Sequence, residues 1–364
     1  MDLELTDEQT LLSESLTTLL ERSWPAPESA HEAGPDERAR LWAALVQFGA
    51  LDVDREEGLG AVELCLAARA FGRQLASTPF AGSAALRYAI EPFAGELPAP
   101  FAELATDSVS IALMEPGRGW AAEASSTALG LAGLDGRKAA VEHAADVDRF
   151  AVVASAGGAP ALALVSAAAG GIEAEPQPSL DPGVPLYAVA FDGAEPDGVA
   201  EGDLASAMLP RLTAAAALLA AAEAAGAAGR MLEDASAYAA QRRQFGRTIG
   251  SYQALRHLLA DMHVRQSSGW STVLYAAAAL DDDLPDALPT AAVAKAYVAR
   301  AAREVAHGAL QVFGGVAFTE EHPAHRFLRR IVVREQQFGD AAYHERALGQ
   351  MLAERALHAP AAVG

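Results

Sequence analysis

Two segments carry side chains whose types and spacing could hold an anionic, aromatic ligand. The first is RRQFGRTIGSYQALRHLLADM, residues 242–262. Arg242 closes one helical pattern, Phe245-Gly246 and Thr248-Ile249-Gly250 form a turn, and a new helix opens near Ser251. Free N–H groups at a helix start beside an arginine suit a diphosphate. Phe245 could pack on a planar ring. The plainer alternative is a helix hairpin whose last-turn arginine complements the helix dipole. The second segment is LQVFGGVAFTEEHPAHRFLRR, residues 310–330. Its helix ends at Gly314-Gly315, where a backbone without Cβ atoms allows close approach of a ligand. Thr319 then caps a further helix with Pro323 in its first turn, and a glycine C-cap followed by a threonine N-cap would account for much of this pattern too.

Other chemistries find less support. His257, His263, His322, His325 and His344 show no metal spacing, and the three-residue step from His322 to His325 alone is weak for zinc, so no metal is expected. No glycine loop of the Rossmann or Walker kind is present, which disfavours an NAD-dependent enzyme. The one cysteine, Cys65, lies in an apolar helical pattern and reads as a small buried hydrophobe. A formal net charge of −21 with no basic run argues against nucleic acid. An anionic ligand must therefore be held by local donors against the overall field.

These residues need a frame to position them, and hydrophobic patterning divides the 364 residues into three. Residues 1–105 read as helices. Thr6-Asp7-Glu8-Gln9 forms a capping box ahead of Leu12, Leu16, Leu19 and Leu20; a second helix starts near Asp36, and a third runs from about 61 to 75. Residues 106–200 hold short β-type runs, SVSIALM, RFAVVAS, ALALVSA and LYAVAF, separated by Gly and Pro. Residues 201–364 return to helical patterning. Segments 204–241, 251–282, 288–313 and 321–355 each read as one long helix, predicting a four-helix bundle. The fold expected is thus α+β: a helical domain, a β domain and a helical bundle. The apolar run 213–229 is interrupted by Glu223 and reads as a buried helix, not a membrane span. The acidic start MDLELTDEQT has no positive n-region, so no signal peptide and a cytoplasmic location are expected.

Taken together, the two segments resemble the acyl-CoA dehydrogenase family. The family's Arg-x-x-Phe-Gly turn, followed by a helix with Gln and Ala-Asp-Met, is matched by Arg242, Phe245, Gly246, Gln253 and Ala260-Asp261-Met262. Its Gln-x-x-Gly-Gly-x-Gly-Phe-Thr-x-Glu is matched by Gln311, Gly314, Gly315, Phe318, Thr319 and Glu321, with Ala317 at the third glycine. Glu115-Pro116-Gly117 and Gly136-x-Lys138 resemble β-domain signatures of the same family. The resemblance implies FAD at a subunit interface, with Arg242 on the diphosphate, Phe245 packed on the cofactor, and Gln253, Gln311, Gly314 and Gly315 among the residues that reach a neighbour's FAD. It implies desaturation of an acyl-CoA thioester between Cα and Cβ, in which a carboxylate takes the α-proton. It further implies transfer to an electron-transfer flavoprotein or similar acceptor, and a homo- or heterotetramer. The short Ala-rich chain resembles subunits of heteromeric actinobacterial enzymes that shorten steroid side chains. Lipid metabolism, and steroid catabolism within it, is the expected setting.

The chain departs from that pattern where a self-contained site would need it. The base is usually a Glu before Gly-Thr; counted from Arg326, that position is Phe338, followed by Gly339-Asp340. A second place for the base, on the helix before Arg242, falls near Ala216. Arg118 and Trp120 replace small residues after Glu115, and AAVEHAA follows Lys138 where Trp and Thr usually flank the flavin. The loop DREEGLG is shorter than its usual counterpart. The expectation is a partner subunit that completes another chain's FAD site. The alternatives are a relocated base at Glu335, Asp340 or Glu223, and a non-enzymatic scaffold.

Overall fold

The computed structural model describes residues 3–358, apart from 28, 30–32, 56, 105 and 123–124. Helices α1 (Asp7–Ser23), α2 (Pro35–Phe48), α3 (Ala61–Gln74) and α4 (Phe80–Ile90), with the single turn α5 (Ala99–Ala102), open the chain. The Thr6 capping box forms as expected: Gln9 N donates to Thr6 Oγ1 at 3.2 Å, and Thr6 N donates to the Gln9 side chain at 3.1 Å. α1 buries Leu16 and Leu20. Strands β1 (Val109–Ala112), β2 (Ala128–Gly130), β3 (Gly133–Glu142), β4 (Arg149–Ala156), β5 (Ala159–Ser166), β6 (Ile172–Gln177), β7 (Leu186–Ala194) and β8 (Gly198–Glu201) follow. They form one mixed sheet in the order β6-β7-β3-β2-β4-β5-β8, with β1 parallel to β4.

The sheet is apolar on both faces, which is why its central strands read as continuous hydrophobic runs. Alternation still sorts the side chains. Ala151, Val153, Leu162 and Leu164 belong to the core shared with the helices. Phe150, Val152, Ala161, Ala163 and Val165 belong to a second core on the opposite face. The sheet is therefore clamped against the helical part and cannot present that face to solvent.

The rest is helical: α6 (Gly202–Gln241), the two-residue strands β9 (Arg243–Gln244) and β10 (Arg247–Thr248), α7 (Gln253–Asp281), α8 (Ala287–Phe313), α9 (Ala324–Gln336) and α10 (Ala341–His358). α6 is apolar enough by length and composition to cross a membrane, but most of its apolar window is buried inside the protein. Its alanines let neighbours approach. A Cβ on Gly72 of α3 would lie 1.9 Å from the Glu223 carbonyl oxygen, and one on Gly226 of α6 would lie 2.0 Å from that of Arg69. The backbones of α3 and α6 thus touch through reciprocal glycines.

The last expected helix is two. α9 ends at Gln336 and α10 begins at Ala341. The break has a local cause: Phe338 and Gly339 take φ of +57° and +98°, which no α-helix accommodates. The buried Lys295 ammonium donates to the Arg334 and Glu335 carbonyls, satisfying the end of α9 from outside it. Among the described residues, the segment 321–355 thus supplies two helices to the bundle in place of the one expected. Two expected starts also move. α7 opens at Gln253, two residues beyond Ser251, and α9 opens after Pro323, so Thr319 closes a short 3-10 turn instead of capping α9.

Candidate functional site

The Arg242–Gln253 segment folds as the sequence predicts in kind but more tightly. Gln244 and Arg247 pair as the ends of a hairpin whose two tip residues, Phe245 and Gly246, have φ of +50° and +81°. Positive φ at both central positions matches the twist of the flanking strands. Glycine adopts that geometry freely and phenylalanine does not, so the strain at Phe245 is notable. The strained side chain is 92% exposed. An aromatic ring held in water by a strained turn is displayed for contact with something outside this chain.

Beside the hairpin lies an open cleft of about 510 Å³, lined by Tyr238, Arg242, Gln244, Leu258, Gln311 and Phe313 among others. Arg242 and Gln311, some 70 positions apart, are thus brought to one cleft. Both are exposed, and the Arg242 guanidinium has no carboxylate partner among the described residues. Nearby arginines are engaged locally: Arg247 stacks on Tyr252 at 3.9 Å, and Arg256 Nε donates to the Gly250 carbonyl at 3.0 Å. Gln253 is exposed at the first residue of α7. Past the cleft, Gly314 and Gly315 leave a α8 end with nothing within 4 Å of where a Cβ would be, and Phe318 is 80% exposed. This face offers a cation, free amides, open backbone and two displayed aromatic rings. Those are the donors and surfaces that a dinucleotide such as FAD requires, so the residues of this face fit that group.

The signatures in the β domain meet each other instead. Lys138 on β3 is fully buried and its ammonium lies 2.6 Å from Glu115 Oε1. Glu115 also accepts from Ser125, from Ser126 through N–H (2.8 Å) and hydroxyl (2.6 Å), and from Thr127 through N–H (3.0 Å) and hydroxyl (2.9 Å). Burial pushes the Glu115 carboxyl up, but the bonds from Lys138, Ser126 and Ser125 outweigh it and hold the carboxyl well below the usual carboxylate range. Every lone pair is engaged. These residues pin the loop after β1 onto the sheet and are not available to a ligand.

Each of the three carboxylates that might replace the missing base meets a partner, although one Glu335 oxygen is buried without a hydrogen bond and burial pushes that carboxyl up. Glu223 on α6 lies 2.8 Å from Arg330 and 2.9 Å from Arg334, both buried. Glu335 pairs with Arg303 at 3.0 Å. Because α9 ends at Gln336, Glu335 does not share a helical face with Phe338, contrary to the expectation from a continuous helix. Asp340 accepts from Tyr343 N at 2.7 Å and so caps the start of α10. Phe338 itself packs on Trp120, ring centres 5.2 Å apart. Its carbonyl lies 3.0 Å from His344 Nε2. Burial and the Lys295 charge push His344 down to about 4, so it is neutral at physiological pH. On the outer side of this aromatic pair is a pocket of about 380 Å³ lined by Thr213, Leu288, Tyr343, His344 and Met351 among others.

A further arrangement joins segments that no sequence motif connects. The Asp281 carboxylate at the end of α7 accepts from Ala61 N (2.7 Å) and Val62 N (3.1 Å), capping α3 from a distant segment. A Cβ on Gly60 would lie 2.4 Å from Asp281, which explains that glycine in the DREEGLG loop. Among the described residues no group of His, Cys, Asp and Glu is placed to hold a metal ion.

Comparison with known proteins follows the same lines. Residues 208–358 match the family model described as acyl-CoA dehydrogenase, C-terminal domain. Acyl-CoA dehydrogenase FadE34 of Mycobacterium tuberculosis is 38% identical over 173 residues, which cover 46% of this chain and 23% of FadE34. The match thus spans about a quarter of that relative's length. Among solved structures, a chain of the ChsE4-ChsE5 complex from M. tuberculosis superposes with a TM-score of 0.82 at 25% identity, covering 97% of this chain and 99% of that one. A variant of the Tcur3481-Tcur3483 steroid ACAD gives a TM-score of 0.82 at 24% identity, covering 96% and 99%.

Proposed function

We propose that this chain, whose residues 208–358 match the acyl-CoA dehydrogenase C-terminal domain, is a subunit of an FAD-dependent enzyme that desaturates an acyl-CoA thioester between Cα and Cβ, and that it completes an FAD site shared with a second, related chain. One observation carries this reading. Arg242 and Gln311 line one open cleft beside the hairpin that exposes Phe245, Gly314-Gly315 follow at the end of α8, and the Arg242 cation has no carboxylate partner among the described residues. FAD, when bound, supplies the acceptor for the hydride leaving Cβ. In this reading Arg242 neutralises diphosphate charge, Phe245 covers the cofactor from solvent, and Gln253 and Gln311 with the open Gly314-Gly315 backbone orient it. The proton at Cα then falls to a base on the partner, since Phe338 cannot accept one and Glu223, Glu335 and Asp340 are held by Arg330 and Arg334, Arg303, and Tyr343. That engagement weighs against a base relocated within this chain. The two-chain ChsE4-ChsE5 complex supports a heteromer, and the fold shared with the steroid enzyme makes a sterol side-chain thioester the first substrate to try. A tetramer, an electron-transfer flavoprotein as acceptor, and a cytoplasmic setting complete the proposal.

The experiment is co-expression with neighbouring family chains, followed by purification and flavin absorbance. A second chain should co-purify with this one and the assembly should be yellow, while R242A and Q311A should lower flavin content without changing the melting temperature of the chain alone. A yellow, fully active homomer would sink the partner-completing role. A colourless assembly would favour a scaffold without redox chemistry.

A further inference from the structure

The junction between the sheet, α4 and the α9–α10 turn has the architecture of a ligand cleft. It lies where three parts of the fold meet, the usual place for a small-molecule site. Strained backbone rings it. Of the six described non-glycine residues with positive φ, four border this junction: Leu75, Ala140, His143 and Phe338. Such strain concentrates at binding and catalytic sites. Yet the junction is full. The space between Pro79, Gly82, Ala140, Glu142 and Phe338 amounts to about 10 Å³, room for no more than one water.

Glu142, which lines that space, belongs to a cluster of charge packed beside it. Arg330 and Arg334 enter from α9, both buried. Arg330 pairs with Asp181 through Nε and with Glu223 at 2.8 Å, and it donates to the carbonyls of Ala76 (2.8 Å) and Leu75 (3.3 Å). Arg334 pairs with Glu142 at the end of β3, and its Nε lies 2.9 Å from Glu223. Two cations thus face three carboxylates drawn from α6, β3 and the loop before β7. The Trp120–Phe338 pair closes the side toward the outer pocket. A junction whose two arginines are already paired with three carboxylates offers neither arginine to a diphosphate, and a residual space of about 10 Å³ leaves no volume for a ring system.

We propose that the Arg330–Arg334–Glu223–Glu142–Asp181 cluster is a keystone standing in the place of a ligand, so that this chain's own inter-domain cleft is permanently sealed and FAD is bound only at the exposed Arg242–Phe245 face. The seal is read from the chain's own packing; only the identity of the excluded ligand rests on the function proposed above.

The test mixes the full chain alone with FAD and follows flavin fluorescence and melting temperature, beside its R242A/F245A and E142Q variants. No uptake, or uptake that disappears in R242A/F245A, is the expected result, with E142Q melting lower than the parent and binding no more FAD. Uptake that persists in R242A/F245A overturns the seal. The assembly is then denatured and its released flavin counted. A count of no more than one FAD per two chains agrees with a sealed cleft, and one FAD for every chain contradicts it. A colourless assembly together with no uptake by the chain alone would defeat the proposed function and still uphold the seal.

Discussion

Glu115 shows how a side chain can be conspicuous in a sequence for a reason its sequence does not disclose. Glu115-Pro116-Gly117 and Gly136-x-Lys138 stand out as separate motifs, and both look like parts of a ligand site. Folding makes them one object, a buried ion pair whose carboxylate is also bonded by three successive hydroxyl residues. Patterns within one segment could not reveal that pairing, because it joins β3 to the loop after β1. The consequence is measurable. Glu115→Gln leaves the Lys138 ammonium buried without a counter-charge, which should cost about 3–5 kcal/mol and show as a lower urea midpoint. Its pH dependence has a definite sign. A carboxyl held below its unfolded value contributes stability that is present above the unfolded pKa, about 4.3. It is lost as pH falls further, toward the depressed folded value. The parent should therefore lose stability in acid below about pH 4.3, and E115Q should lack that component. Parallel acid slopes in parent and variant would contradict this. His344 acts in a neighbouring window with the same direction. Burial pushes its pKa down to about 4, so its contribution is full above about pH 6.5 and fades as pH falls toward 4.

Among the elements, the long helices were legible because alanine-rich, apolar-periodic stretches leave few alternatives. α3, α6 and α8 lie where the periodicity puts them. The break between α9 and α10 was not legible. Residues 324–336 and 341–358 both carry helix formers, and the left-handed turn at Phe338-Gly339 between them is backed by a tertiary contact: Lys295 arrives from α8 and takes the Arg334 and Glu335 carbonyls. That break is what removes Glu335 from the face of Phe338. α4 was hidden by the prolines around it, although Pro79 sits at its N-cap, where proline does no harm. β2, β6 and β8 are short or exposed edge elements whose patterning is weak. The contact between α3 and α6 gives the prediction at this scale. Gly226→Ala would place a methyl carbon 2.0 Å from the Arg69 carbonyl oxygen, with backbone on both sides and no flexible side chain to yield. Although alanine is the better helix former by about 1 kcal/mol, the forced separation of two buried helices should outweigh it. A net loss of about 1–3 kcal/mol is expected from chemical unfolding, and a G226A variant as stable as its parent would mean that the helices slide past each other at little cost.

For the molecule as a whole, charge and its placement decide how it meets others. The chain carries a formal net charge of −21, yet the stretch around the candidate site exposes Arg242, Arg243, Arg247 and Arg256. Such a molecule is anionic from a distance and cationic at one face. Two copies repel each other at long range, while an anion close to the hairpin meets local donors that the net charge does not cancel. Salt separates these effects, because the screening length shortens from about 30 Å at 0.01 M to about 8 Å at 0.15 M. Repulsion between whole chains is then largely removed, but contacts within a few ångströms persist. Self-association of this chain should therefore strengthen over that range, seen as a rise in sedimentation coefficient at fixed concentration. The R242A variant should show the same rise, since one arginine scarcely alters the net charge. If instead the assembly comes apart as salt is added, the arginine face is meeting an acidic surface directly, and the local contact rather than the net charge governs how the subunits join.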